Sequence, residues 1–322
     1  MRAGAVALSL TLAAAPAAAD PPSLILPVAC TLGQDCYIED YVDTAPGPGV
    51  RDHACGLKSR DGHSGTDIAL LSFAKMKAGT AVLAAAPGRV AATRDGLPDR
   101  PVTAETRPEI RGRECGNAVR IDHGQGWQTL YCHLRQGSVA VEPGARVAAG
   151  AVLGQVGLSG LTNMPHLHLG VLKDGAVVDP FRPDDAEECG PAKGDGLWAD
   201  APPYHRAGLF TAGFATAVPD LDAVRSGAAR ARRAVPSAPL VLYGHVFHAR
   251  PGDRLHLSAQ GPRGRILDRT IPLKAPARSL FRAAGRRSPE RGWPPGAYRG
   301  YVRLIRAGTV IAARHADITV AR

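Results

Sequence analysis

Residues 117–134 read NAVRIDHGQGWQTLYCHL. Two β-prone runs, 117–122 and 127–132, flank the turn residues HGQG (123–126), which predicts a hairpin. In that register Cys115 and Cys132 stand nearly opposite each other, so a Cys115–Cys132 disulfide is expected. The same texture extends outward from 117–134. TAVLAAA (80–86), SVAVE (138–142), AVLGQVG (151–157), HLHLGVL (166–172) and AVVDPF (176–181) are short, β-prone and split by glycines. Strands this short and frequent predict an all-β sheet or barrel. A weak internal repeat agrees: Gly79-x-x-Val82-x-Ala84 then Gly88-x-Val90 is echoed by Gly144-x-x-Val147-x-Ala149 then Gly154-x-Val156. The second copy looks like the tight turns of lipoyl carriers. No lysine occurs between residues 142 and 160, which argues against a swinging-arm carrier.

Five residues in this region carry chemistry. His63 and Asp67 sit in HSGTD (63–67), His133 in LYCHL (130–134), and His166 and His168 in PHLHLG (165–170). On a strand, positions i and i+2 share a face, so His166 and His168 project together while Leu167 and Leu169 face the core. Three of the five suffice to hold a zinc ion with an open position, and two remain to move protons. Tyr131 shares a strand face with His133 and either donates to an oxyanion or packs. No H-E-x-x-H occurs, so a thermolysin-like glutamate base is absent.

HSGTD, the separate histidine of YCHL, and HLH stand in the order that characterises lysostaphin/LytM-type zinc metallopeptidases. The likeness runs through GNAVRIDHGQGWQTLYCHL, VEPGARVAAGAVLGQVGLSG and PHLHLGV, covering about residues 51–182. The resemblance implies a groove on an antiparallel sheet, with Zn2+ held by His63, Asp67 and His168 and catalytic work by His133 and His166. It implies a peptidoglycan peptide as substrate. Two rivals are a non-haem iron oxygenase, which also uses two histidines and a carboxylate, and a non-catalytic zinc-containing adaptor or regulator of cell-wall hydrolases.

The rest of the 322-residue chain sets the context. Arg2, an apolar run over 3–15 and Ala17-Ala18-Ala19 predict a signal peptide over residues 1–19, hence a periplasmic or secreted protein. Six cysteines, an even number, suit an oxidising compartment. Hydrophobic content of 45% and charged content of 21% exclude disorder as the default state. A net charge of +10 favours anionic envelope polymers as partners. No nucleic-acid motif and no transmembrane segment is read, and nothing sets the oligomeric state. Residues 20–50 are expected to be an extended Cys-containing lead-in, 51–182 the metallopeptidase domain and 183–205 a linker. Residues 206–322 are expected to form a small β-sandwich of immunoglobulin type, with a short basic helix over 220–234. The Arg- and Pro-rich insert 95–114 is expected to edge the groove.

Overall fold

A computed structural model describes residues 20–71, 73–102, 106–184, 194 and 196–321. The expected signal segment, residues 185–188 of the DDAEE run and Cys189 lie outside the described residues. Within them, the chain is predominantly antiparallel β-sheet.

The main sheet has eight strands. Seven run in the order Cys36–Asp40, Thr66–Leu70, His166–Lys173, Trp127–Leu134, Asn117–Gly124, Gly88–Arg94 and Arg146–Val147, and Ala176–Val177 pairs with His166–Lys173. The expected hairpin forms. Gly124 pairs with Trp127 across Gln125 and Gly126, both at positive φ (49° and 81°), as a two-residue turn matched to strand twist requires. Cys115 and Cys132 are joined. The two copies of the internal repeat pair with each other: Val82 opposes Gly154 in a separate two-stranded ladder, and Gly88 opposes Val147 in the main sheet. SVAVE forms no strand. Its amides are satisfied elsewhere, Val139 N by Asp95 Oδ2 and Ala140 N by Leu153 O.

The core beneath this sheet follows the strand alternation. Leu167, Leu169 and Val171 are fully buried, as are Ile68, Leu70, Val119, Ile121 and Tyr131. Each such side chain contributes about 1.5–3 kcal/mol. The segment expected as a lead-in is part of this structure. Leu24 and Val28 enter the core, Cys30 is bonded to Cys36, and Cys36–Asp40 is the sheet's edge strand. The far end of the expected linker also packs here: Trp198 is buried, Leu24 N donates to Leu197 O, and Tyr204 Oη donates to Asp52 Oδ2.

Residues beyond 207 form two further sheets around one core. Gly208–Ala215, Leu240–Ala249 and Ala277–Arg286 make a three-stranded sheet. Arg233–Ala234, Thr309–Val320, Gly296–Arg306, Arg254–Gly261 and Gly264–Pro272 make a five-stranded one. Phe214, Leu242 and Val246 of the first meet Leu255, Val302, Leu304 and Ile318 of the second. The expected basic helix over 220–234 is shorter than its pattern. It spans Leu221–Ser226, capped where Asp220 Oδ1 accepts from Ala223 N and stopped by Gly227 at φ 81°. The arginines that follow lie outside it.

This C-terminal unit docks on the edge strand of the main sheet. Tyr37 Oη donates to Ala313 O at 2.8 Å, Arg314 pairs with Glu39 and Asp40, and the Arg299 guanidinium lies 3.7 Å from the Phe73 ring centroid. Tyr37, Ala69, Met164 and Ala313 form a small buried cluster between them.

One buried histidine makes a stability prediction. His53 is 6% exposed, stacks on Phe181 with centroids 4.5 Å apart, and its Nδ1 has no hydrogen-bond partner. Burial pushes its pKa down to about 4. A base with a lowered folded pKa is protonated first in the unfolded chain, so its contribution is lost as pH falls from 6.5 towards 4. His53→Phe keeps the stack and removes the proton acceptor. The parent chain should lose on the order of 2–3 kcal/mol relative to this variant between pH 7 and pH 4, read from denaturant midpoints. Parallel losses in the two proteins would contradict the assignment.

Candidate metal centre

Three neighbouring strands bring the five predicted residues together. Asp67 stands directly opposite His168, Ala69 opposite His166, and Cys132 opposite His168. Because His166 and His168 are two residues apart, both rings reach the face that carries Asp67. His63 comes from the loop before the Thr66–Leu70 strand, where its peptide oxygen accepts from Asp43 N and its Nδ1–H donates to Tyr41 O at 2.6 Å. That bond leaves Nε2 as the acceptor nitrogen.

His63 Nε2, Asp67 Oδ1 and His168 Nδ1 form a triangle with edges of 3.1, 2.8 and 3.2 Å. A tetrahedral ion with bonds of about 2.0–2.1 Å has ligand–ligand edges of about 3.3 Å. Two imidazoles and one carboxylate in this arrangement are a metal-competent group, and their donor atoms suit an ion that takes nitrogen and oxygen. The second Asp67 oxygen accepts from Arg60 Nη2, while Arg60 Nε donates to Asp40 at 2.8 Å. Arg60 thereby leaves Oδ1 as the oxygen that faces the two histidines. Sequence reading missed Arg60; its only signal was its position three residues before HSGTD.

His133 and His166 flank the triangle. Their ring centroids are 4.6 Å apart, and His133 lies 6.2 Å from His168. His133 Nδ1–H donates to Ser159 O and His166 Nδ1–H to Met164 O, each at 2.8 Å. Each ring therefore presents Nε2 as a bare lone pair. His166 Nε2 is buried without a hydrogen-bond partner, 3.6 Å from Asp67 Oδ1. Burial, with the neighbouring His166 and His168, holds the His133 imidazole well below its usual pKa, and burial lowers His166 as well. Both are neutral at pH 7. Burial opposes the charge on Asp67, but His166, His63 and the hydrogen bond from His168 outweigh it, so the carboxyl stays far below its usual range.

Backbone geometry corrects one expectation. Tyr131 does not share the face of His133. His133 adopts φ 64°, a left-handed conformation that breaks the two-residue parity of its strand. Tyr131 lies opposite Leu169 in the core, its hydroxyl accepting from Ala85 N and Thr129 Oγ1. The mount for His133 depends on close approach: a Cβ on Gly116, at φ 69°, would lie 2.3 Å from Ser159 O, the very oxygen that orients His133. The Cys115–Cys132 bond and the contact from His133 N to Cys115 O hold the same corner. Asn117 ties the insert down, exchanging bonds with Leu97 N and O. Val102 and Arg107 of that insert line the cleft beside the site, as does Leu161.

Gly65 offers a direct test of the triangle. A Cβ there would stand 2.6 Å from both Cε1 and Nε2 of His168. Gly65→Ala should displace that ring and lower divalent-metal affinity by about 10–100-fold with the fold retained, measured by competition with a chromophoric chelator. Unchanged affinity would contradict the geometry.

Residues 61–180 match the sequence profile of peptidase family M23. That stretch is similar to an M23 peptidase domain. The chain is 43% identical over 65 residues to the DD-carboxypeptidase/endopeptidase Mpg of Neisseria meningitidis serogroup B, covering 20% of this chain and 14% of that protein. It is 33% identical over 107 residues to the cell division protein DipM of Caulobacter vibrioides, covering 33% and 15%. Among solved structures, a putative peptidase M23 from Pseudomonas aeruginosa aligns at 29% identity over 49% of this chain and 52% of that one, with a TM-score of 0.28. The chain thus spans 14–15% of the length of these curated relatives.

Proposed function

We propose that this protein is an exported zinc endopeptidase that hydrolyses peptide bonds in peptidoglycan stems or cross-links. His63, Asp67 and His168 hold the ion, and His133 and His166 do the proton transfers. The observation that carries this reading is the buried, unpartnered Nε2 of His166, with the His133 ring held beside it by Ser159 O, next to the metal-competent triangle. An adaptor needs only the triangle. An iron oxygenase needs no adjacent pair of neutral bases.

When bound, zinc supplies positive charge that acidifies water and polarises a carbonyl. The remaining steps belong to the chain. Neutral His133 accepts the proton of the attacking water at Nε2 and returns it to the leaving amine, with Ser159 O fixing the ring. His166, fixed by Met164 O, offers the second acceptor to the same space. Arg60 holds Asp67 so that its ligating oxygen does not rotate away.

Export is supported by the composition of residues 1–19 and by five disulfide-bonded cysteines, the pairs Cys30–Cys36 and Cys115–Cys132 together with Cys55. Among the described residues no helix is long and apolar enough to cross a membrane. In this reading residues 51–182 are the peptidase unit, 183–205 the connection, and the two C-terminal sheets an accessory sandwich of immunoglobulin type. Anionic envelope polymers would attract the basic chain.

The test is digestion of sacculi by the mature chain, with and without chelator, followed by mass spectrometry of released fragments. New amine ends that disappear with chelator are expected, and their masses name the bond. A metal-loaded chain that releases nothing overturns the reading.

A further inference from the structure

The candidate site does not open onto solvent alone. It opens into a cavity of about 880 Å3 whose walls come from both units. Asp67, His166 and Arg60 line one side, and Phe210, Arg230 and Arg232 line the other. The docking of the C-terminal unit on the Cys36–Asp40 strand fixes this cleft, through Tyr37–Ala313 and the pairing of Arg314 with Glu39 and Asp40.

The charges in the cleft are unevenly spent. Its carboxylates, Glu39, Asp40 and Asp67, are taken by Arg314 and Arg60. Lys58 is buried and donates to Ile38 O. Arg107, Arg230 and Arg232 also line the cleft, and none of them joins an ion pair among the described residues. Arg230 is held in place by uncharged acceptors, Thr211 Oγ1 and Ala212 O. Between the two arginines, Ala231 N donates to Phe214 O and its side chain packs on the core, which anchors this stretch of chain. Phe210, 45% exposed, rests on His245 and Phe247 with centroids 4.8 and 4.7 Å away. The cleft therefore offers the held guanidinium of Arg230 and, two residues on, the exposed side chain of Arg232, with the apolar ring of Phe210, on the wall across from the metal centre.

We propose that the C-terminal unit forms a substrate wall, on which Arg230 and Arg232 bind the carboxylates of an anionic peptide while Phe210 covers its apolar part. This rests on the hydrolase reading and names the substrate class it takes. Arginine pairs with carboxylate through parallel, charge-assisted hydrogen bonds that an amide cannot replace in kind. Arg230 and Arg232 of the basic run ARARRA (229–234), which lie outside the helix and precede the Arg233–Ala234 strand, thereby acquire a role.

The experiment uses peptides released from sacculi, with carboxylates either free or converted to amides. The full, metal-loaded chain is compared with Arg232→Gln, the Arg230→Gln/Arg232→Gln pair, and Arg269→Gln as a charge-matched control outside the cleft. KM for the free-acid peptides should rise about tenfold in the single variant and up to about 100-fold in the pair, with kcat within about threefold. The preference for acid over amide should collapse in the pair and persist in Arg269→Gln. Binding of both peptides to the metal-loaded His133→Ala chain, read by fluorescence anisotropy, needs no turnover. An acid preference that depends on Arg232 there, with no cleavage by the parent chain, would keep the wall and remove the hydrolase reading. Equal binding of acid and amide by the parent chain, or undiminished discrimination by the paired variant, overturns the proposal.

Discussion

His133→Ala should lower kcat by about 10²- to 10⁴-fold while the zinc stays in place. The ring is buried, and its Nδ1–H is committed to Ser159 O at 2.8 Å, which leaves Nε2 as the nitrogen that can accept a proton. Removing it takes away the proton acceptor and leaves His63, Asp67 and His168 untouched. Because His133 sits at φ 64°, alanine also carries a left-handed backbone cost of about 1–2 kcal/mol. His133→Asn, which tolerates that conformation better, separates the two effects. Both variants should retain one zinc per chain by elemental analysis, and both should lose turnover. A kcat within threefold of the parent chain would remove His133 from the chemistry.

Asp67→Asn should abolish metal binding rather than slow turnover alone. The carboxylate is 1% exposed, touches His63 and His168 with one oxygen, and accepts from Arg60 with the other. The amide removes the only negative charge from the triangle and leaves the Arg60 cation facing three histidines. Losing one partner of a buried charge network costs about 3–5 kcal/mol, so zinc affinity should fall by about 10²- to 10⁴-fold. The fold should persist, because the side chains beneath the site, among them Ile68, Leu167 and Leu169, make their core without the ion. Equilibrium dialysis against zinc and a thermal melt read the two quantities separately. A variant that keeps one tightly held zinc would contradict the ligand set.

Much of this site could be read in the sequence because strand periodicity carries it. Two-residue spacing placed His166 and His168 together and sent Leu167 and Leu169 to the core. The hairpin signal placed Cys115 against Cys132. What escaped reading depends on backbone departures and on long-range packing. Parity fails at His133, where a positive φ turns the side chain to the opposite face from Tyr131, and no local pattern announces that turn. The Cys36–Asp40 strand hid inside a Pro- and Gly-rich stretch because it is covered on both faces and shows no alternation. Gly227 cut the basic helix short, and the cleft wall built by Phe210, Arg230 and Arg232 exists only because a second unit packs on that edge. Arg60 is invisible for the same reason: its partners Asp40 and Asp67 are brought to it by the sheet.

The most direct measurement is anomalous diffraction at the zinc edge from crystals of the metal-loaded chain. A single peak is predicted within bonding distance of His63 Nε2, Asp67 Oδ1 and His168 Nδ1, with His133 Nε2 and His166 Nε2 beside it and outside that distance. A peak ligated by His166 or His133 in place of His63, or no peak at the triangle at all, would contradict the account.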